Sequence, residues 1–541
     1  MEPAACPGNY VAVGLRALGR WVVGTVLACG CEAGRPPVVA GSPPAAATPA
    51  VAPGVARDHV AYTLAPVIEN GDVVALAVEL RYHLDASGHS LLQLPERWAS
   101  EDALWRFVDD LRIDGAQIVA TPSPAQRELE GPADAPVVVR YRVRSAYDAE
   151  PSAADGQPFA PIVRPRWFYA FGHALFAVPA ERLEAEGGTV SFAWSGAPEG
   201  FGFASDLEQL DAHAGLPAML DAVAMGGHEL RVFAGAGADP SVRVAVLGAF
   251  DFDLRAFAAL AREVITAERD FWDDHGAPFL VMLTAMQPVE GRQSLGGTGL
   301  GDGFSLIMGS DTPLPPVRHL LAHEYFHTWN PTRLGGTDPA VDEMVGKWFA
   351  EGFTEYYTWR LLLRAGIYTL EDFVAEWNAA LVEYAASPVK HEPNARVLTD
   401  YWTNPDVGRL PYRRGPLLAA LWQQRLHAAT GGQRSLDDVL QRMRDRVREP
   451  SPTAAMPDAS VLFPAVYREL GGPDLTDELA RYVDRGEPIE LPADVFGPCV
   501  RVQTDEVTTR NGARVLAQQL VLEVGPEPGA RASCVRTLAG G

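Results

Sequence analysis

The tract that most constrains this chain places His323 and His327 four residues apart and follows them, 24 residues after the second histidine, with Glu351. Residues four apart share one face of a helix, so both imidazoles can reach one point in space. Two prolines before Val317 signal a helix start, and apolar residues fill the other positions. The pattern predicts a packed helix over 317–330 that meets the segment carrying Glu351.

Two imidazoles and a carboxylate in this spacing are typical of a catalytic zinc site. Glu324, adjacent to the first histidine, can point toward the open coordination position and take a proton from water. Zinc lowers the pKa of bound water to about 7, which provides a nucleophile at neutral pH. The alternative is a core helix whose histidines are hydrogen-bonded and inert. His319 lies on the same face but lacks a following glutamate, so we expect it behind the ligands or on the surface.

The tracts HEYFHTWNPTR, starting at His323, and KWFAEGFTEYY, starting at Lys347, resemble the glycyl aminopeptidase family of gluzincin metallopeptidases. The resemblance extends, in the order of segments, over approximately residues 60–500. It implies that His323, His327 and Glu351 bind one Zn2+ per chain, that Glu324 is the general base, and that the surrounding domain is thermolysin-like.

A second tract, residues 410–415, resembles the Tyr-x-Lys-Gly segment that gluzincin aminopeptidases place near the metal. The resemblance implies that Tyr412 donates a hydrogen bond to the developing oxyanion. Arg414 occupies the usual lysine position, which keeps the positive charge in a different shape. The alternative is a buried tyrosine that caps a helix beginning near Gly415.

A third tract, Gly296, Gly297, Thr298 and Gly299, precedes the strand-like run 304–308 and resembles the family's substrate-binding edge segment. Glycines would let a peptide backbone approach and pair with the strand. An ordinary hairpin turn explains the tract equally well. Many family members have Gly-Gly-Leu-Glu-His here, and this chain has neither that Glu nor that His. The carboxylate that could bind a free peptide amino terminus is thus missing from its expected place, so both aminopeptidase and endopeptidase action stay open.

Two further residues have weaker assignments. Glu355, one turn after Glu351, could accept a hydrogen bond from a ligand histidine or simply be solvated. Asn330 could hold backbone near the site or cap the helix end.

The start of the chain has the pattern of an export signal. Arg16 and Arg20 precede an apolar run over 21–28, and a Pro/Ala-rich stretch follows. The sequence before Cys29 approximates a bacterial lipobox, so Cys29 is a candidate for lipidation and membrane attachment, against plain secretion. The predicted location is the periplasm or a membrane-anchored lipoprotein of a bacterial cell envelope.

The predicted fold is α+β multidomain: an N-terminal antiparallel β-sandwich-like domain, then a thermolysin-like zinc metallopeptidase domain with a small mixed sheet and a helical lobe. Period-two alternation over 74–84, 137–143 and 190–194 predicts the strands. After 240 the period becomes helical, with a helix over 254–271 and a buried strand over 278–285. Further helices are predicted near 369–386, 413–429, 435–448 and 474–486.

The predicted boundaries are 1–57 for leader and tether, 58–239 for the β domain, 240–489 for the catalytic domain and 490–541 for a strand-rich tail. Family members typically end in a complete PDZ domain, for which this tail is too short.

The net charge limits the classes of partner, and two cysteines could form a disulfide. The net charge of -24 argues against a nucleic-acid partner, because phosphate binding needs clustered positive charge. Cys499 and Cys534, near the C-terminus, could oxidise in an exported protein or stay free. The sequence does not specify the oligomeric state.

The combined prediction is a zinc-dependent peptidase that acts on peptides or proteins. The alternative is a noncatalytic, zinc-stabilised peptide-binding lipoprotein. An intact Glu324 argues against it, because a purely structural site has no use for a general base.

Overall fold

The computed structural model of the chain describes residues 56–99, 101–152, 159–183, 188–234, 241–290, 295–300, 302–331, 333–335, 343–449, 457–525 and 527–540. Most of the predicted leader, with Cys29, lies outside the described residues.

The first part of the described chain consists mainly of strands, because apolar side chains alternate between a buried and an exposed face. Its strands and short helices are β1 (His59–Glu69), β2 (Asp72–His83), β3 (His89–Gln93), β4 (Arg97–Trp98), β5 (Glu101–Asp102), β6 (Val108–Asp114), β7 (Gln117–Ala120), β8 (Gln126–Glu130), β9 (Pro136–Val143), β10 (Ile162–Arg164), β11 (Trp167–Phe171), α1 (Gly172–Leu175), β12 (Val178–Pro179), β13 (Thr189–Trp194), β14 (Gly202–Ser205), α2 (Pro217–Leu220) and β15 (Val223–Gly227). Single 3-10 turns lie at Leu104–Phe107, Ala180–Arg182 and Asp206–Gln209.

These strands form three larger sheets, in the orders β13-β1-β2-β9-β6, β10-β11-β15-β14 and β12-β3-β8-β7. Their apolar faces meet in one core that includes Tyr62, Leu80, Leu129 and Phe168. The predicted sandwich-like domain is thereby confirmed. Its pairs of strands are antiparallel with one exception: β1 and β13 run parallel, although the sequence pattern predicts an antiparallel domain.

A mixed five-stranded sheet follows, as predicted for the catalytic domain. Its strands are β16 (Leu230–Phe233), β17 (Val242–Leu247), β18 (Phe279–Met286), β19 (Leu295–Leu300) and β20 (Gly303–Gly309), in the order β16-β17-β18-β20-β19. The three inner strands are parallel, and β16 and β19 are antiparallel edges. The edge strand β19 packs against the helix that carries His323.

The helical lobe consists of α3 (Leu254–Trp272), α4 (Pro315–Phe326), α5 (Lys347–Arg364), α6 (Leu370–Ala386), α7 (Asn394–Asp400), α8 (Pro405–Ala429), α9 (Leu436–Arg448), α10 (Ala459–Glu469) and α11 (Thr476–Glu478), with a 3-10 turn at Glu343–Gly346 and a π-helical turn at Leu479–Asp484. Several bounds differ from prediction, two of them by more than two residues. Helix α8 begins eight residues before 413 and contains Pro411 and Pro416 in its interior. Helix α4 ends at Phe326 rather than at Asn330.

The inner strands of the mixed sheet are buried on both faces. In β18, Val281 and Leu283 face the core of the helical lobe, whereas Leu280 and Met282 face a core shared with the β domain. A hydrogen bond of 2.7 Å between Tyr169 Oη and Ser305 Oγ crosses that second interface. The β domain therefore forms the layer that supports the catalytic sheet from behind.

The C-terminal segment packs on the helical lobe. It contains the hairpin β21 (Val500–Thr508) and β22 (Arg514–Leu522), as the strand pattern predicts, and then α12 (Pro528–Ala539), which was not predicted. A disulfide joins Cys499 to Cys534, with Cα atoms 5.7 Å apart. Leu520 and Leu538 share the core of the catalytic lobe. Among the described residues, no helix is both long enough and apolar enough to cross a membrane.

Candidate metal centre

The end of α4 and the first turns of α5 meet at the predicted site. His323 lies in the last turn of α4, and His327 is the residue just beyond its end, still with helical dihedrals (φ -63°, ψ -12°). The spacing of four residues therefore keeps its one-turn geometry even though the helix ends at Phe326. Glu351, in the second turn of α5, is fully buried against both rings.

The three predicted ligands present their donor atoms at nearly equal separations. His323 Nε2 lies 3.2 Å from His327 Nε2 and 3.5 Å from Glu351 Oε2, and His327 Nε2 lies 3.4 Å from the same oxygen. Zinc bonds to imidazole and carboxylate are about 2.0–2.1 Å, so the edges of a regular tetrahedron around the ion are about 3.3–3.4 Å. The triangle of donors fits one face of that tetrahedron and leaves the fourth position to an exogenous group.

Three carboxylate oxygens at this place have no hydrogen-bond partner among the described residues, although one of them, Glu355 Oε2, lies 2.9 Å from His319 Nε2. The other two are Glu351 Oε2, which faces the two imidazoles, and Glu324 Oε1. Both side chains are almost completely buried, at 0% and 3% exposure. Buried polar atoms are normally paired, so two orphaned carboxylate oxygens indicate a site built for a cation and a polar ligand. The donor set of two histidines and one glutamate fits zinc.

The charges around the site attract a cation. Burial by itself would lower the pKa of His323, but the nearby carboxylates of Glu351 and Glu355 raise it to about 10. Burial would raise the pKa of Glu351, yet Lys347 and His327 hold it well below its usual value. Glu351 is therefore ionised at neutral pH, as a metal ligand has to be.

Glu324 has a different environment from Glu351. Burial raises its pKa well above the usual range, and the carboxylates of Glu351 and Glu355 add to that effect against His323 and Lys347. A carboxylate with raised proton affinity, next to the donor triangle, is suited to accept and return a proton.

A row of buried side chains lies behind the ligands. His319 Nε2 is 2.9 Å from Glu355 Oε2, and the same oxygen lies 3.7 Å from His323 Nδ1. Of the two roles considered for Glu355, its buried position on the far side of the His323 ring favours orientation of the imidazole over solvation. His319 is buried against Glu355, which places it behind the ligands rather than on the surface.

Asn330 connects the two helices that carry the ligands. Its amide donates to the backbone oxygens of Phe349 and Ala350, at 3.3 and 3.0 Å, and to Thr354 Oγ1 at 3.1 Å, all on α5. Its own backbone oxygen accepts a 2.8 Å hydrogen bond from His327 Nδ1, which directs Nε2 toward the donor triangle. Of the two roles considered for Asn330, the structure supports the positioning one.

Tyr412 also lies at the site. Its ring stacks on that of His323 at a centroid distance of 5.8 Å, and its hydroxyl is 3.3 Å from the hydroxyl of Tyr401. Burial and the charge of Glu351 raise its pKa well above the usual value, so the phenol keeps its proton at neutral pH. Tyr412 lies inside α8 rather than at its start, so the helix-cap alternative does not apply.

Close contact between two glycines brings Tyr412 and Glu351 together. A Cβ on Gly352 would stand 2.3 Å from the Cα of Gly415, so α5 and α8 touch backbone to backbone. Arg414, in the usual lysine position, is buried and donates to the backbone oxygens of Lys390 and Glu392. Its contacts stabilise the surrounding backbone.

The glycine tract forms a strand and not a turn. Gly296, Gly297, Thr298 and Gly299 lie within β19, and the chain reverses after them. A Cβ on Gly299 would stand 3.7 Å from the backbone oxygen of Glu324, so this edge strand runs alongside the site. The hairpin-turn alternative is therefore wrong for these four residues, and their role toward a substrate stays a prediction.

Two residues at the site received no role from the sequence. Lys347 Nζ lies 2.8 Å from Glu351 Oε1, and Tyr401 supports the hydroxyl of Tyr412. The spacing of four residues between Lys347 and Glu351 was a signal for the first contact. Tyr401 reaches Tyr412 only through the packing of α8, so no local pattern reveals it.

Comparison with known proteins agrees with this geometry. Residues 317–404 match the family model described as M61 glycyl aminopeptidase, a segment that contains all three predicted ligands. The resemblance found in the sequence is thereby confirmed, and a metallopeptidase family implies a metal. No curated protein sequence matches the chain.

Two solved structures align with this chain over most of its length. An aminopeptidase N family protein from Idiomarina loihiensis aligns with a TM-score of 0.63 and 16% identity, over 84% of this chain and 81% of that chain. Yeast LTA4 hydrolase in complex with Bestatin aligns with a TM-score of 0.40 and 14% identity, over 82% and 71% of the two chains. The first of these alignments shows that the two proteins share an α+β fold. The family match supports a peptidase.

Proposed function

We propose that this chain is a zinc-dependent peptidase of the bacterial cell envelope, with Glu324 as general base. The observation that carries the proposal is the donor triangle of His323, His327 and Glu351, whose edges of 3.2–3.5 Å fit a tetrahedral ion. A zinc ion held there would supply Lewis acidity toward a peptide carbonyl and water.

The protein groups then divide the remaining work. Glu324 accepts the proton of the attacking water and returns it to the leaving amine, a task suited to its raised proton affinity. The protonated phenol of Tyr412 donates a hydrogen bond to the carbonyl oxygen as negative charge develops on it. The edge strand β19 pairs with an extended peptide backbone, and its glycines permit close approach.

Two observations support an extracytoplasmic location. The leader has the pattern of an export signal, with Cys29 as a candidate for lipidation. The Cys499–Cys534 disulfide is typical of proteins that fold in an oxidising compartment.

Cleavage of a mixed peptide library by wild type and by Glu324→Gln tests the proposal. We expect both proteins to bind zinc and only the wild type to cleave, because the amide cannot accept the proton. Glu263→Gln, on the exposed face of α3, is the matched control and should cleave like wild type.

The products also separate the remaining alternatives. Stepwise loss of terminal residues indicates an aminopeptidase, whereas internal cuts indicate an endopeptidase. Zinc binding without cleavage by the wild type would favour the noncatalytic peptide-binding alternative, and equal cleavage by wild type and Glu324→Gln would remove Glu324 from its role.

A further inference from the structure

Lys347 is a buried cation beside a buried ligand. It is the first residue of α5, one helical turn before Glu351, and is 1% exposed. All but two of the 45 basic residues of the chain are arginines, and the second lysine, Lys390, contacts the backbone oxygen of Ala385 far from any predicted ligand in sequence. A lysine this deeply buried is costly unless it is paired, so its partner indicates its role.

The two oxygens of Glu351 have different partners. Oε1 accepts a hydrogen bond of 2.8 Å from Lys347 Nζ, while Oε2 faces the Nε2 atoms of His323 and His327 at 3.5 and 3.4 Å. One oxygen of the Glu351 carboxylate therefore contacts the ammonium group, and the other contacts the two imidazoles. A carboxylate without such a partner is free to bind a metal through both oxygens.

The ammonium group is itself fixed by an aromatic ring. Lys347 Nζ lies 5.5 Å from the centroid of the Tyr401 ring, within the range of a cation–π interaction, and the Tyr401 hydroxyl is 3.3 Å from that of Tyr412. One lysine thus contacts both Glu351 and Tyr401, the residue that supports the phenol donor. A carboxylate–ammonium pair held in this way has little freedom to rotate.

We propose that Lys347 is a positioning residue that confines Glu351 to coordination through Oε2 alone. Single-oxygen binding leaves coordination positions of the ion for substrate and water, which a second bound oxygen would fill. The inference rests on the proposed metal site and goes beyond it, because a metal could equally be bound there with Glu351 bidentate.

The first test needs no variant. A crystal structure of the zinc-loaded wild-type protein, at a resolution that separates the two oxygens of Glu351, is expected to show Oε2 on the ion and Oε1 on Lys347 Nζ. Both oxygens on the ion would overturn the inference while leaving the proposed function intact. Absence of zinc from the triangle would instead contradict the proposed function.

The second test removes the ammonium group. In cobalt(II)-substituted Lys347→Met, the freed Oε1 should join the ion, so the visible bands should lose intensity as the coordination number rises. Lys347→Gln, which keeps an N–H donor without the charge, is expected to show a smaller loss. Lys390→Met is the matched control and should keep the wild-type spectrum. A wild-type spectrum from folded, cobalt-bound Lys347→Met would overturn the inference.

Discussion

At the scale of single residues, the site contains two glutamates whose pKa values differ because their surroundings differ. Glu324 and Glu351 are both buried, but only Glu351 has an ammonium partner and two imidazoles facing it. Burial dominates for Glu324 and raises its pKa, whereas opposite charge dominates for Glu351 and lowers it. Two carboxylates of the same type can therefore serve as a base and as a ligand.

Replacement of Tyr412 by Phe tests the phenol donor. Removing a preorganised oxyanion donor typically lowers kcat by about 10²–10³-fold, and the metal should stay because Tyr412 is not a predicted ligand. Steady-state kinetics and zinc analysis of Tyr412→Phe provide the measurement.

Tyr467→Phe is the control for Tyr412→Phe, since Tyr467 is another buried phenol, bonded to the backbone oxygen of Trp422. It should affect stability and not kcat. If kcat of Tyr412→Phe equalled that of wild type, Tyr412 would have no part in the reaction.

The proximity of the three predicted ligands could be anticipated from the sequence, because much of the geometry is local. His323 and His327 share a helical face by spacing alone, and the family resemblance added Glu351. Lys347 contacts Glu351 one turn along its own helix, so the spacing of four residues signals that contact, although it assigns Lys347 no role. Tyr401 reaches Tyr412 only through the packing of α8, and no local pattern assigns it a role.

At the scale of elements, the site depends on how closely two helices approach. Gly352 on α5 and Gly415 on α8 touch backbone to backbone, one residue from Glu351 and three from Tyr412. Any larger residue at this crossing has to move the helices apart. The position of the ligand and that of the phenol donor are therefore coupled through one packing contact.

Gly352→Ala tests this coupling. The added Cβ would meet the Gly415 backbone at 2.3 Å, and overpacking of this kind typically costs about 1–3 kcal/mol. We expect a lower Tm and a lower kcat, measured by thermal unfolding and peptide cleavage.

Gly529→Ala in α12, where an added Cβ meets nothing within 4 Å, is the control for Gly352→Ala and should leave both quantities unchanged or raise Tm slightly. Wild-type Tm and kcat for Gly352→Ala would show that the close crossing is not needed.

The elements were predictable where one pattern dominates. Period-two alternation identified β2, β9 and β13, and helical periodicity identified α3 within one residue of its observed end. The predicted start of α8, at residue 413, follows Pro411, which has no N–H to donate and usually interrupts a helix, whereas the observed helix begins at Pro405 and continues through it. The parallel pairing of β1 with β13 joins strands distant in the chain, which no local pattern encodes.

At the scale of the whole molecule, the β domain and the catalytic sheet are joined through a buried layer. Asp206, directly after β14 of the β domain, lies close to β20 of the catalytic sheet. A Cβ added to Gly303 of β20 would stand 3.5 Å from the Asp206 Cβ. Burial raises the pKa of Asp206 to about 7, with the charge of Asp302 adding to the effect against hydrogen bonds from Val223 and Ser205. This junction therefore holds a carboxyl group that takes up a proton near neutral pH.

Stability should depend on pH through Asp206. The pKa of an aspartate in an unfolded chain is about 3.9, lower than the pKa of about 7 for Asp206 in the folded protein. The folded state therefore binds the proton more tightly. The stabilisation is fully present below about pH 4 and is lost as the pH rises to about 7. Asp206→Asn should therefore gain in unfolding free energy relative to wild type between these values, as measured by denaturant titration. A difference that stays constant with pH would contradict the assigned environment.

The central claim is that His323, His327 and Glu351 together bind one zinc ion. Zinc content after exhaustive dialysis, measured for wild type, Glu351→Ala and the exposed-surface control Glu263→Ala, tests it most directly. We predict one zinc per chain in wild type and in Glu263→Ala, and none in Glu351→Ala. Equal zinc in all three proteins, or none in the wild type, would contradict it.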